Sequence, residues 1–186
     1  MVKLFGIAFA ALLVCAHLAD VQGDAYERPL SLFRDYEPAW IGYAMFALLV
    51  AIGLATVRTA FRAESEVHAG MYLLSTGLLA FVSATPSDNE WHQNFAVVVM
   101  LVLFTYYAVV LYYRDAMFWL LFHLLTPSFM MWATRLDSYG IWQKGMILYF
   151  LAATIVHQGV LARQIPKRAK VRRTKIKVRV GMKRVA

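Results

Sequence analysis

The chain has 186 residues, 61% of them hydrophobic and 16% charged, with one cysteine, Cys15. A soluble domain is roughly 45–50% apolar and about 25% charged, so a large water-soluble core is excluded. The lone cysteine also excludes internal disulfides, Cys-based zinc sites and thiol catalysis in the rest of the chain.

The apolar excess comes in blocks of roughly 17–20 residues, the length a helix needs to cross ~30 Å of hydrocarbon. The fold class predicted is all-α, a multi-pass transmembrane helical bundle. In chain order, residues 1–23 read as a secretory signal. Lys3 gives a charged start, LFGIAFAALLVCAHLA an apolar region, and VQG small residues before Asp24. The alternative is an uncleaved first span, giving six spans in place of five.

Residues 24–38, DAYERPLSLFRDYEP, form a short extracytoplasmic segment. A helical membrane domain over 39–163 follows. Its five expected spans are Trp40–Val57, Ala69–Ala84, Phe95–Tyr113, Ala116–Ala133 and Gly145–Ala162. The YYRD link between the third and fourth spans is a tight turn, so those helices are antiparallel neighbours.

Lys and Arg in short loops set orientation. One side carries Arg58, Arg62, Arg114 and the C-terminal tail; the other carries Asp88, Glu90, Arg135, Asp137 and Lys144. The first side is more basic and is expected to be cytoplasmic, with the C-terminus inside. Ala47, Ala51 and Ala55, one turn apart, are expected to let helix backbones approach. Trp40, Trp91, Trp132 and Trp142, with Tyr106, Tyr107, Tyr112 and Tyr113, read as interfacial anchors without a cofactor role.

Intramembrane histidines are the first functional candidates, because an ionisable ring in hydrocarbon is costly. With this orientation His68, His123 and His157 fall in one leaflet, on three helices. Such a set could clamp a b-type haem or hold a divalent metal; the alternative is hydrogen bonding between helices. Pro127 removes the backbone bond to the carbonyl of His123, so polar ring and broken ladder form one local feature facing the bundle interior. Thr126 and Ser128 flank it and can partly satisfy the freed groups. His68, Tyr72, Ser75, Thr76 and Ser83 form a polar stripe on one face of the second span. It would line a cavity or serve interhelical hydrogen bonds.

The loop TPSDNEWHQN groups Asp88, Glu90 and His92, a carboxylate–imidazole set of the kind that binds a divalent metal. Read as a turn followed by helix N-terminal acids, the same residues are capping elements. No Walker loop, Rossmann fingerprint, HExxH or GxSxG occurs.

The basic cytoplasmic tail, 164–186, is the strongest polar signal. From Pro166 to Ala186 there are ten Lys/Arg and no acid; the other 165 residues hold nine Lys/Arg against eleven Asp/Glu. Lys167, Arg168, Lys170, Arg172, Arg173, Lys175, Lys177 and Arg179 are expected to bind anionic membrane lipid, an acidic protein or RNA. TKIKVRV alternates charged and β-branched residues and could add to a partner as an edge strand. These features point to a non-catalytic integral membrane subunit or binding protein, packed with membrane protein partners or as an oligomer. A haem- or metal-binding redox or hydrolytic membrane protein and a small transporter are the alternatives.

Overall fold

The computed structural model describes residues 2–18, 39–86, 89–133 and 139–182, with side chains for all of these except 131–133, 139 and 166–182. Six helices account for almost all of them: α1 (Val2–Leu18), α2 (Ala39–Arg62), α3 (Glu66–Ala84), α4 (Glu90–Tyr112), α5 (Met117–Ala133) and α6 (Tyr139–Met182). No strand occurs among the described residues. The proposed extracytoplasmic segment, 24–38, lies outside them.

Four helices are long and apolar enough to cross a membrane: α2, α3, α4 and the Gly140–Ile165 part of α6. In hydrocarbon a helix is the simplest way to satisfy every backbone N–H and C=O internally. α1 and α5 are also apolar but, at 17 residues each, shorter. Large apolar side chains cover the outer faces, among them Leu101, Phe118, Trp119 and Phe129, all more than half exposed. Soluble monomers rarely expose contiguous apolar surface on that scale; these faces suit a hydrocarbon surround.

The helices run up and down. α2–α3 and α4–α5 are joined at one end of the bundle by matching turns. In the first, Glu64 has φ 55°, Ser65 N–H donates to the Ala60 carbonyl and Glu64 N–H to that of Phe61. In the second, Asp115 has φ 52°, Ala116 N–H donates to Leu111 and Asp115 N–H to Tyr112. Both are Schellman caps with a non-glycine residue in the left-handed position. This turn end also carries Arg58, Arg62 and Arg114.

Packing is tightest between α2 and α3, through Gly53 facing Thr76 and through Ala60, Ala63 and Ala69, which are fully buried. The expected alanine stripe lies off this contact: Ala47 is exposed, and Ala51 and Ala55 are half-buried, Ala55 against the cluster that holds Phe9 and Leu151. Small residues do allow the close approach, but those facing α3 set it. α1 packs as a helix of the bundle, with Phe9 fully buried among residues that include Met45, Ile52 and Leu151.

At its other end α6 continues as helix from the apolar segment through residues 166–182. Without a partner, residues 174–180, read as a possible edge strand on one, are part of this helix. A lone strand with no partner leaves its backbone groups unpaired, whereas a helix closes them within the segment.

Candidate functional site

A polar cluster lies in the turn-end half of the bundle, built from α3, α4 and α6. Tyr72 and His157 are buried, and the Tyr72 hydroxyl stands 2.8 Å from His157 Nδ1 and 2.9 Å from the Tyr107 hydroxyl. Tyr107 also reaches Thr154 Oγ1 at 2.6 Å. The Tyr106 hydroxyl is 2.7 Å from His68 Nδ1 and 3.3 Å from His157 Nδ1. The His68 and His157 rings meet edge-on, with centroids 4.7 Å apart.

Donor counting gives these contacts a direction. A neutral imidazole nitrogen has one lone pair or one proton. If His157 Nδ1 accepts from the nearer hydroxyl, Tyr72 spends its proton there and its oxygen accepts from Tyr107. Tyr107 in turn accepts from Thr154, and Tyr106 donates to His68. His157 Nε2 is buried without a hydrogen-bond partner.

His123 on α5 forms a second, neighbouring centre. It is fully buried. Its Nε2 lies 2.9 Å from the Phe104 carbonyl, which can only accept, so Nε2–H donates. Nδ1 then accepts from the Tyr149 hydroxyl. The ring stacks on Phe104, with centroids 4.4 Å apart, and its centroid is 6.5 Å from that of Tyr107. One turn beyond, Pro127 is carried inside α5, and Thr126 donates to the Phe122 carbonyl at 2.8 Å.

The histidines read as a haem or metal set divide between the two centres. Both His123 nitrogens are engaged, Nε2–H donating to the Phe104 carbonyl and Nδ1 accepting from the Tyr149 hydroxyl. His68 and His157 are brought together, but edge-on and each tied through Nδ1 to a tyrosine. Among the described residues, no group of three or more His, Cys, Asp or Glu is placed to hold a metal ion.

The loop set separates. Asp88 lies outside the described residues. Glu90 is exposed, whereas His92 is buried and its Nδ1 lies 3.1 Å from the Thr85 carbonyl. Asn89 caps α4 by accepting from Trp91 N–H at 2.9 Å. His92 thus fastens the α3–α4 link to the start of α4.

The stripe on α3 divides as well. His68 and Tyr72 join the network. Ser75 and Thr76 donate to the Met71 and Tyr72 carbonyls of their own helix, and both border a central cavity of ≈ 110 Å³ together with Tyr72 and Thr154. A larger groove of ≈ 500 Å³ runs between α4, α5 and α6, past Tyr107, Tyr149 and His157, with Arg114 among its lining residues.

Four network residues escape a reading by local composition. Tyr106 and Tyr107 are buried, not interfacial anchors, whereas Tyr112 and Tyr113 are exposed. The available signal was register: His92, Val99 and Tyr106 recur every seven residues and form the buried face of α4. Tyr149 and Thr154 carried no comparable mark. The side chains of Lys167, Arg168, Lys170, Arg172, Arg173, Lys175, Lys177 and Arg179 lie outside the described ones; their backbone is the end of α6.

The chain matches no family model, no curated protein and no solved structure. The site is therefore read from its own geometry.

Proposed function

We propose that the protein is a non-catalytic integral membrane subunit or binding protein, with its turn end and C-terminus cytoplasmic and the basic end of α6 serving as its recognition element. The observation that carries this reading is the continuity of α6. One helix supplies both a membrane-length apolar segment, Gly140–Ile165, and a basic extension through Met182.

Reach divides the partners. At 1.5 Å per residue, 17 helical residues extend roughly 25 Å. Attraction to a charged surface fades over about 8 Å at physiological salt. Lys167, Arg168 and Lys170 are close enough to the membrane edge to meet anionic lipid. Positions Arg172 to Arg179, on a helix leaving the membrane, suit an acidic protein or RNA. The packing of α1 supports a retained first helix over a cleaved signal, because Phe9 and Ala16 are buried in the bundle.

The test compares the full chain with one ending at Gln164, both in neutral-lipid nanodiscs, titrated with RNA and with polyglutamate. The full chain is expected to bind and to release as salt rises; the truncated chain is expected to insert with unchanged transmembrane helices and to lose that binding. Equal binding by the two chains overturns the reading.

A further inference from the structure

Polar side chains of α3, α4 and α6 form a continuous path on the turn side of a central cavity, and apolar side chains border its other side. On the turn side the links run Thr154–Tyr107 (2.6 Å), Tyr107–Tyr72 (2.9 Å), Tyr72–His157 (2.8 Å), His157–Tyr106 (3.3 Å) and Tyr106–His68 (2.7 Å). His68 is half-buried in the first turn of α3, at the membrane edge. At the inner end, Thr154 and Tyr72 border the ≈ 110 Å³ cavity, beside Ser75 and Thr76. The rest of the lining is apolar, so a water, which needs about 10–15 Å³ of such space and polar partners, is held at this end only. On the far side the cavity meets Leu79 and Val99, and Val99 continues into an apolar cluster with Phe46 and Val82, backed by Leu78 and Phe95. None of those side chains can carry a proton.

We propose that the Thr154–Tyr107–Tyr72–His157–Tyr106–His68 chain is a proton wire joining the central cavity to the aqueous face at the turn end, with Phe46, Val82 and Val99 as the seal that keeps it a half-channel. This goes beyond the role proposed for the basic extension and does not depend on it.

Each transfer balances. A cavity water carrying an excess proton gives it to Thr154 and is left neutral, as the hydroxyl's own proton passes to the Tyr107 oxygen. Tyr107 gives its proton to Tyr72, and Tyr72 gives its proton to His157 Nδ1. The same nitrogen then donates to the Tyr106 oxygen at 3.3 Å, as Tyr106 gives its proton to His68 Nδ1. His68 releases a proton from Nε2 to water. One proton has crossed, no bond other than O–H and N–H has changed, and rotation of the hydroxyls with a tautomer change at His68 resets the chain. Tyrosine need not ionise as an isolated phenolate, because each oxygen gains one proton as it loses another. No carboxylate takes part among the described residues. Arg114 at the turn end lines the neighbouring groove and not the cavity.

The experiment reconstitutes the full chain in vesicles loaded with a pH-sensitive dye and drives protons with a potassium diffusion potential. The wild type is expected to leak no faster than protein-free vesicles. Phe46→Ala and Val82→Ser, made separately, are expected to leak, and adding Tyr72→Phe or Tyr107→Phe to either is expected to return the rate to that of protein-free vesicles. A leak that survives both tyrosine changes overturns the wire. A leak in the wild type overturns the seal. Absence of a leak in both folded opened variants overturns the half-channel. Should neither opened variant fold, ring-proton exchange at His157, followed by ¹⁵N NMR, tests the limb to His68 in the otherwise native chain. Exchange is expected to slow in Tyr106→Phe, and an unchanged rate overturns the proposal.

Discussion

Gly53 on α2 and Thr76 on α3 meet with no room for a side chain between them. A Cβ at position 53 would overlap the Thr76 hydroxyl and lie 3.0 Å from its Cβ and Cγ2. The hydroxyl cannot swing aside freely, because it donates to the Tyr72 carbonyl at 2.6 Å. That carbonyl belongs to the network tyrosine, so the α2–α3 contact also fixes the floor of the site.

Gly53→Ala therefore sets two effects against each other. Alanine gains about 0.8–1 kcal/mol of helix propensity, and overpacking costs about 1–3 kcal/mol. The net expectation is destabilisation, restored in part by Thr76→Ala, which removes the overlapping hydroxyl. At Gly77 a Cβ would meet nothing within 4 Å, so Gly77→Ala is expected to be neutral or stabilising. Unfolding in detergent micelles measures both; a stabilised Gly53→Ala would show that the helices are further apart.

The two polar centres are expected to contribute modestly to stability. Interhelical hydrogen bonds in bilayers average about 0.6 kcal/mol, with a maximum near 1.7. His123→Ala should cost on the order of 0.6–2 kcal/mol, and a double-mutant cycle with Tyr149→Phe should show coupling. Tyr107→Phe should cost more than Tyr112→Phe, because Tyr107 is buried and bridges Tyr72 and Thr154 whereas Tyr112 is exposed. Equal effects would place Tyr107 at the lipid surface.

Visible absorption tests the same imidazole differently. With His123 held by Phe104 and Tyr149, the purified protein is expected to show no Soret band that depends on His123. A band that His123→Ala weakens would mean that the ring leaves both partners for iron.

At the turn end, Glu64 and Asp115 hold positive φ without being glycine. The left-handed region costs an ordinary residue about 1–2 kcal/mol, and less for Asp. Glu64→Gly is expected to stabilise by about 1 kcal/mol, and Asp115→Gly by less. Destabilisation by either would show that the carboxylate has a role outweighing backbone strain.

A retained α1 carries its own test. Phe9 is fully buried, and truncating such a side chain costs about 3–5 kcal/mol in a protein core. Intact mass of the purified chain should include residues 2–18, and Phe9→Ala should lower bundle stability. A mature chain beginning near Asp24 would identify α1 as a signal.

What the sequence determined by itself is whatever depends on composition along one helix. Blocks such as Trp40–Val57 and Phe95–Tyr113 had to be helices, because hydrocarbon offers no partner to an unpaired backbone group. The Pro166–Ala186 charge run was equally legible, since charge adds without reference to geometry. Tertiary structure alone decided which side chains face one another. Tyr106 and Tyr107 share a local environment of aromatic and aliphatic residues with Tyr112 and Tyr113. Only the positions of His68 on α3 and Thr154 and His157 on α6 bury the first pair and leave the second exposed. The partners of His123 lie 19 residues before it and 26 after it, at the Phe104 carbonyl and the Tyr149 hydroxyl. Hydrogen bonds require atoms within about 3 Å and a defined angle. Helical periodicity fixes direction around one axis, and the distance to the next axis is set by packing, down to a single glycine at position 53.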